Sequence, residues 1–194
     1  MLFRSAEADG NLILPGDSNY YLSTFGTNTF GQGLAVTPIQ MVSAVSALVN
    51  EGQMVVPHLV RAIVQDGAQY NISPQFAGAP ISRETAAQLN EMLAVSLEQE
   101  ASLALVPGYR VAGKTGTAQI PGPNGYLQDQ TNTSFAGWGP VDDARFVVYV
   151  WLEKPSASIW ASDVAAPVFA AVVERLVVLM DIPPDDIRLA NAGN

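Results

Sequence analysis

The 194-residue sequence predicts an α+β domain in which helices cover an antiparallel β-sheet, and three observations carry that prediction. Apolar residues make up 48% of the chain against 14% charged, the balance of a packed core and far from the composition of disordered chains. A chain of this length buries roughly 70% of the surface that its unfolded form exposes, which supports one domain over 1–194, with a core over about 14–188 and a frayed tail over 189–194. The apolar period changes from helical to alternating and back, and the three later strand-like runs are joined by turns too short for a crossover helix. They are therefore antiparallel neighbours.

The first helix is opened by Thr37 as N-cap and Pro38 at the first helical position, after which Ile39, Val42, Val45, Leu48 and Val49 recur at helical spacing until Gly52. The short β-branched run Leu59–Val64 reads as a strand. Polar, glycine- and proline-bearing Asp66–Pro80 reads as a long, mobile loop. Ser82 caps a second helix, whose Ala86, Leu89, Leu93 and Leu97 share one face. Three strands follow, over Tyr109–Ile120, Thr133–Gly139 and Arg145–Leu152, separated by Pro121-Gly122-Pro123-Asn124-Gly125 and by Pro140-Val141-Asp142-Asp143. A last helix runs from about Asp163 to Met180, ahead of Pro183-Pro184.

Charge and composition exclude several classes of function. Nine Lys and Arg against eighteen Asp and Glu leave a net charge of -9, so no basic surface is available for a nucleic-acid backbone. Without cysteine there is no disulfide, thiolate metal site or thiol nucleophile. Asp142-Asp143 and Asp185-Asp186 have no companion ligands at metal-binding spacing and read as turn and tail residues, so neither metal nor cofactor is predicted. Met1 to Gly10 carries Arg4, Glu7 and Asp9 with no apolar run behind them, which is mid-protein sequence rather than a signal peptide. The uncharged stretch Ser18–Asn50 is interrupted by Gln32, Pro38, Gln40, Ser43 and Ser46 within every roughly 18-residue window, and Val164–Met180 contains Pro167, Glu174 and Arg175. A soluble chain is expected.

Gly108-Tyr109-Arg110-Val111-Ala112-Gly113-Lys114-Thr115 fits the pattern G-x-x-x-x-G-K-[ST] of phosphate-binding loops. That chemistry needs Lys-Thr to open a helix whose first N–H groups hold the phosphates, but Gly116-Thr117-Ala118-Gln119-Ile120-Pro121 cannot continue a helix. On a sheet-edge strand the same residues do something else: a lysine ammonium and the hydroxyls of Thr115 and Thr117 face a carboxylate, and Gly116 lets a ligand backbone run alongside. The tetrapeptide alone also fits an ordinary edge strand with a solvated lysine.

Its setting is more specific. Phe30-Gly31-Gln32-Gly33-Leu34-Ala35-Val36-Thr37-Pro38-Ile39-Gln40-Met41 precedes it, Val111-Ala112-Gly113-Lys114-Thr115-Gly116-Thr117-Ala118-Gln119 holds it, and Ser134-Phe135-Ala136-Gly137-Trp138 and Ala165-Ala166-Pro167-Val168-Phe169 follow. In this order the segments resemble the C-terminal half of the transpeptidase domain of class B penicillin-binding proteins, from about Leu14 to Arg188. The resemblance implies a partial β-lactamase-like fold outside the cytoplasmic membrane of a bacterium, held to that membrane only by an anchor absent here. It implies acyl transfer from D-alanyl-D-alanine stem peptides of peptidoglycan, with β-lactams acylating the same serine. By resemblance Lys114 lends positive charge to the catalytic network, and the hydroxyls of Thr115 and Thr117 bind the carboxylate of the stem peptide or β-lactam. Gly116 leaves room for the substrate chain, and the Thr117 N–H forms half of the oxyanion hole.

The family's nucleophile lies in a Ser-x-x-Lys motif and is completed by Ser-x-Asn. None of the thirteen serines here has lysine three residues on or asparagine two residues on, since the only lysines, Lys114 and Lys154, follow Val111 and Trp151 by three. The chain is therefore expected to position substrate without forming an acyl-enzyme and, lacking part of its sheet, to self-associate. A non-catalytic binding or assembly module remains the alternative. His58, the only histidine, reads as a loop or strand-end residue, and Gly31-Gln32-Gly33 as a turn before a helix. Trp138, Trp151 and Trp160 are expected in the core or at its margin, with Trp138 near enough to a strand-joining loop to line a cleft.

Overall fold

The computed structural model describes residues 8–123 and 125–192. The Cα packing divides the chain into two compact units, Met1–Ala86 and Ala87–Asn194.

In the first unit, α1 (Leu22–Asn28) and α2 (Pro38–Val49) precede four short strands, β1 (Met54–Val56), β2 (Ala62–Gln65), β3 (Ala68–Asn71) and β4 (Gln75–Gly78). The expected cap of α2 is present as a reciprocal box: Gln40 N donates to Thr37 Oγ1 at 3.2 Å and Thr37 N to Gln40 Oε1 at 2.8 Å. Past its end Gly52 takes a φ of 86°, a left-handed conformation that a glycine adopts without a Cβ clash, and its N–H closes on Ala47 O at 2.9 Å. Gly31-Gln32-Gly33 falls in the turn between α1 and α2.

The strand expected over Leu59–Val64 is displaced: β2 starts at Ala62, and Leu59 is exposed. The expected loop over Asp66–Pro80 instead holds β3 and β4, which pair antiparallel with β2 and β1. Both strands are exposed throughout, so no buried-face alternation marks them in the sequence.

α3 (Arg83–Glu100) starts where Ser82 Oγ accepts from Thr85 N at 3.2 Å. The second unit continues through a 3-10 turn, Ser102–Ala104, to a three-stranded antiparallel sheet of β5 (Ala112–Gly122), β6 (Gly125–Gly139) and β7 (Phe146–Glu153), in the order β5-β6-β7. The helix expected over Asp163–Met180 divides into α4 (Ala161–Val164) and α5 (Ala166–Leu179), with Pro167 in the first turn of α5 where its missing N–H costs no bond. Of the tail expected to fray over 189–194, residues 189–192 close α6 (Asp185–Ala192), and 193–194 lie outside the described residues.

Cross-strand partners share a face, so Phe135 pairs with Val150 and Thr133 with Leu152 on the side covered by α5. There Phe135 and Phe169, both fully buried, meet at a ring-centroid distance of 4.8 Å among Val111, Val173 and Val177. This core makes β5 and β6 rigid. The structure is thus the α+β arrangement that the sequence predicts, a helix-covered antiparallel sheet.

Candidate functional site

β5 is an edge strand of the described sheet, with β6 on one side only. Lys114 pairs with Ala136, Thr115 with Phe135, Gly116 with Ser134 and Thr117 with Thr133, so the lysine-threonine-glycine-threonine segment is extended and begins no helix. The helix N-terminus required by the phosphate-loop reading is replaced by a β-ladder.

Side chains alternate along β5. Lys114 and Gly116 lie on the face that carries Ser134 and Trp151, and Thr115 and Thr117 on the face of Phe135 and Val150. The exposed Lys114 ammonium curls round the strand edge, donating to Thr115 O at 3.3 Å and to Thr115 Oγ1 at 3.2 Å.

Two anchors fix the far end of this edge. Thr117 Oγ1 accepts from Ala161 N at 3.3 Å, and Thr131 Oγ1 donates to Ile159 O at 2.7 Å. Together they pin the segment before α4 to β5 and β6 and hold Trp160, 58% exposed, beside Thr117. The Thr117 hydroxyl, expected to bind a ligand carboxylate, thus accepts a bond from the fold and keeps its own O–H to donate. The space over Gly116 is also shared: a Cβ built there would stand 2.5 Å from Ser134 Oγ. Ser134 as much as any ligand makes this position a glycine.

The tryptophans divide. Trp138 is buried and donates from Nε1 to Asn90 Oδ1 at 2.7 Å, so it lines no cleft. Trp151 and Trp160 are exposed, contrary to the expectation of core packing, because Trp151 stands on the sheet face opposite α5 and Trp160 on a loop. His58 is exposed, with Nδ1 3.0 Å from Val60 O. Asp142 and Asp185 are neither metal ligands nor loose tail residues: both receive Arg188, at 2.6 and 2.8 Å, and Asp185 also accepts from Arg110 N at 2.6 Å. The Arg188 bond holds the Asp142 carboxyl below the usual range, as Arg110 does for Glu91. Among the described residues no cluster of acidic or histidine side chains could hold a metal ion, and no helix is long and apolar enough to cross a membrane.

Sequence reasoning missed the roles of Ser134, Thr131 and Trp160. Ser134 was marked only as part of a motif, and its place opposite Gly116 depends on a hairpin register that no local pattern prints.

Comparison with known proteins supplies the context. The chain is 37% identical over 163 residues to stage V sporulation protein D of Bacillus subtilis, spanning 81% of this chain and 25% of that protein. It is 29% identical to the peptidoglycan D,D-transpeptidase FtsI of Escherichia coli K12, of which it spans 26%. Among solved structures it resembles the transpeptidase domain of Burkholderia pseudomallei penicillin-binding protein 3, with a TM-score of 0.78 at 28% identity over 92% of this chain and 52% of that one. It also resembles penicillin-binding protein 3 of Mycobacterium tuberculosis in complex with aztreonam, with a TM-score of 0.79 at 30% identity over 93% of this chain and 43% of that one. The chain thus spans about a quarter of these curated relatives and about half of the solved domain. The family profile described as the penicillin binding protein transpeptidase domain matches residues 9–174, and the chain belongs to that family.

Proposed function

We propose that these residues form the substrate-positioning part of a peptidoglycan D,D-transpeptidase that works on the extracytoplasmic face of a bacterial membrane. The observation that carries this reading is the open edge of β5, where the Lys114 ammonium and the Thr115 hydroxyl stand together two residues before Thr117.

Lys114 supplies the charge that draws the terminal carboxylate of a D-alanyl-D-alanine stem peptide, and the Thr115 hydroxyl, 3.2 Å from its Nζ, orients it. The peptide then lies along β5 as an added strand, with main-chain bonds setting its register. The Thr117 N–H donates to the scissile carbonyl oxygen as charge develops there, and the Thr117 side chain keeps the strand in place through Ala161 N. A β-lactam likewise carries an anionic group, a carboxylate or a sulfonate, near its reactive carbonyl carbon, and a relative of this fold is solved with aztreonam. Gly116 opens the edge while its partner Ser134 limits how far.

Acyl transfer needs a nucleophile with an adjacent base, and no serine of this chain stands in a Ser-x-x-Lys or Ser-x-Asn pattern. The 194 residues bind and orient; they do not form an acyl-enzyme. A purely non-catalytic assembly module would share the sheet but have no preference for D-alanine.

The test is an NMR titration of the 15N-labelled chain with N-acyl-D-alanyl-D-alanine and its L,L isomer. The D,D peptide should shift the amides of Lys114 to Ala118, more weakly so after Lys114→Ala. Equal responses to both isomers, or none at β5, would favour the assembly module.

A further inference from the structure

We propose that the surface formed by the C-terminal half of α3, the segment 105–111 and the start of α6 docks a basic amphipathic segment of a partner protein. All of these residues lie in the second unit, and none of them belongs to β5.

The surface has an apolar floor with an acidic rim. A groove of about 630 Å³ is lined by apolar Leu105, Pro184 and Ile187 together with Glu98, Arg110, Asp185 and Asp186. Beside it, on the outer face of α3, Met92 is 66% and Val95 39% exposed between Glu91 and Glu100. Arg110 joins the two parts, because its guanidinium takes Glu91 at 2.7 and 2.8 Å on one side and Glu98 at 3.1 Å on the other.

Charge identifies the occupant. Six carboxylates, those of Glu91, Glu98, Glu100, Asp142, Asp185 and Asp186, stand here against two guanidiniums, Arg110 and Arg188, and both guanidiniums are already held by carboxylates. The last turn of α3 carries no basic residue, so the negative end of its dipole adds to Glu98 and Glu100 instead of being offset. An uncompensated negative rim round an apolar floor is complementary to lysine or arginine flanking apolar side chains. The occupant is cationic: the same acidic face of a second copy is repelled here, and so is an anionic membrane surface.

The test is fluorescence anisotropy of the 194-residue chain with a labelled amphipathic leucine-lysine helical peptide, beside a scrambled peptide of identical composition that has no apolar face. Saturable binding that weakens with added salt is expected, with the scrambled peptide at least about tenfold weaker. The double variant Asp186→Asn, Glu100→Gln touches no residue of the Arg110 and Arg188 ion pairs and should raise Kd by about tenfold. The control Asp66→Asn, Asp129→Asn removes the same charge from two exposed turns elsewhere and should leave Kd unchanged. Absence of binding, equal binding of the scrambled peptide, or equal loss in the control variant would each overturn the proposal.

Discussion

Gly116 and Ser134 face each other across β5 and β6, and the hydroxyl of one occupies the place where a side chain of the other would begin, 2.5 Å from an ideal Cβ. A methyl group at Gly116 must displace Ser134 Oγ by rotation. Gly116→Ala is therefore expected to destabilise the chain by at most about 1 kcal/mol, and Ser134→Ala in the same chain should recover most of that loss. Urea denaturation of both single variants and the double variant measures the coupling. Additive effects would show that the two positions are independent.

Thr117 links the edge strand to α4. Thr117→Val keeps the shape and removes the acceptor of the Ala161 N–H, so a loss of about 0.5–1.5 kcal/mol is expected, while Thr117→Ser keeps the bond. Trp160 lies next to Ala161, so its fluorescence should become more accessible to acrylamide in the valine variant and stay unchanged in the serine variant.

Acid should weaken the anchorage of α6. The Arg188 bond depresses the Asp142 carboxyl in the folded state, so this pair stabilises the fold above the ordinary aspartate range of about 3.9, and that contribution is lost as pH falls through it and below. Glu91, depressed by Arg110, acts in the same direction. Stability measured by denaturant unfolding should decline from about pH 5 to pH 3, and Arg188→Met should flatten the decline while lowering stability at neutral pH. An unchanged slope in the variant would assign the acid sensitivity to other groups.

Self-association is expected of the isolated chain. β5 and β7 each lack a second neighbour in the described sheet, and Val168, Val172, Val178 and Leu179 are exposed along α5. Each large apolar side chain left uncovered forgoes roughly 1.5–3 kcal/mol, so several together rival a whole domain's net stability of about 5–15 kcal/mol. Light scattering over a concentration series should show mass rising above 20.6 kDa, more steeply at high salt where the net charge of -9 is screened. A monomer at every concentration would contradict this.

What could be read from the sequence depended on whether a residue's role is local. The Thr37-Pro38-Ile39-Gln40 cap and the breaks at Pro121 and Pro140 are local signals, and the elements they bound stand close to where they were expected. β6 nevertheless starts eight residues before the expected Thr133, because Gly125, Tyr126, Thr131 and Asn132 pair with β5 across a register shift, in a stretch largely without the alternating burial that marks a half-buried strand. α1 was missed because Leu22–Asn28 has Gly26 and four polar residues in seven and buries no side chain. Lys114 to Thr117 stood out through motif and setting. The occupation of the Thr117 hydroxyl by Ala161 N spans 44 residues and has no local signature.

The central claim is that this chain orients a ligand on β5 without acylating, and intact-protein mass spectrometry after incubation with benzylpenicillin tests it most directly. The unmodified mass should remain at every incubation time, because no serine here has a lysine one helical turn on to take its proton. A stable adduct of one penicillin mass would contradict the account and would make a serine outside those motifs, with Ser134 beside Gly116 the first to map, the nucleophile.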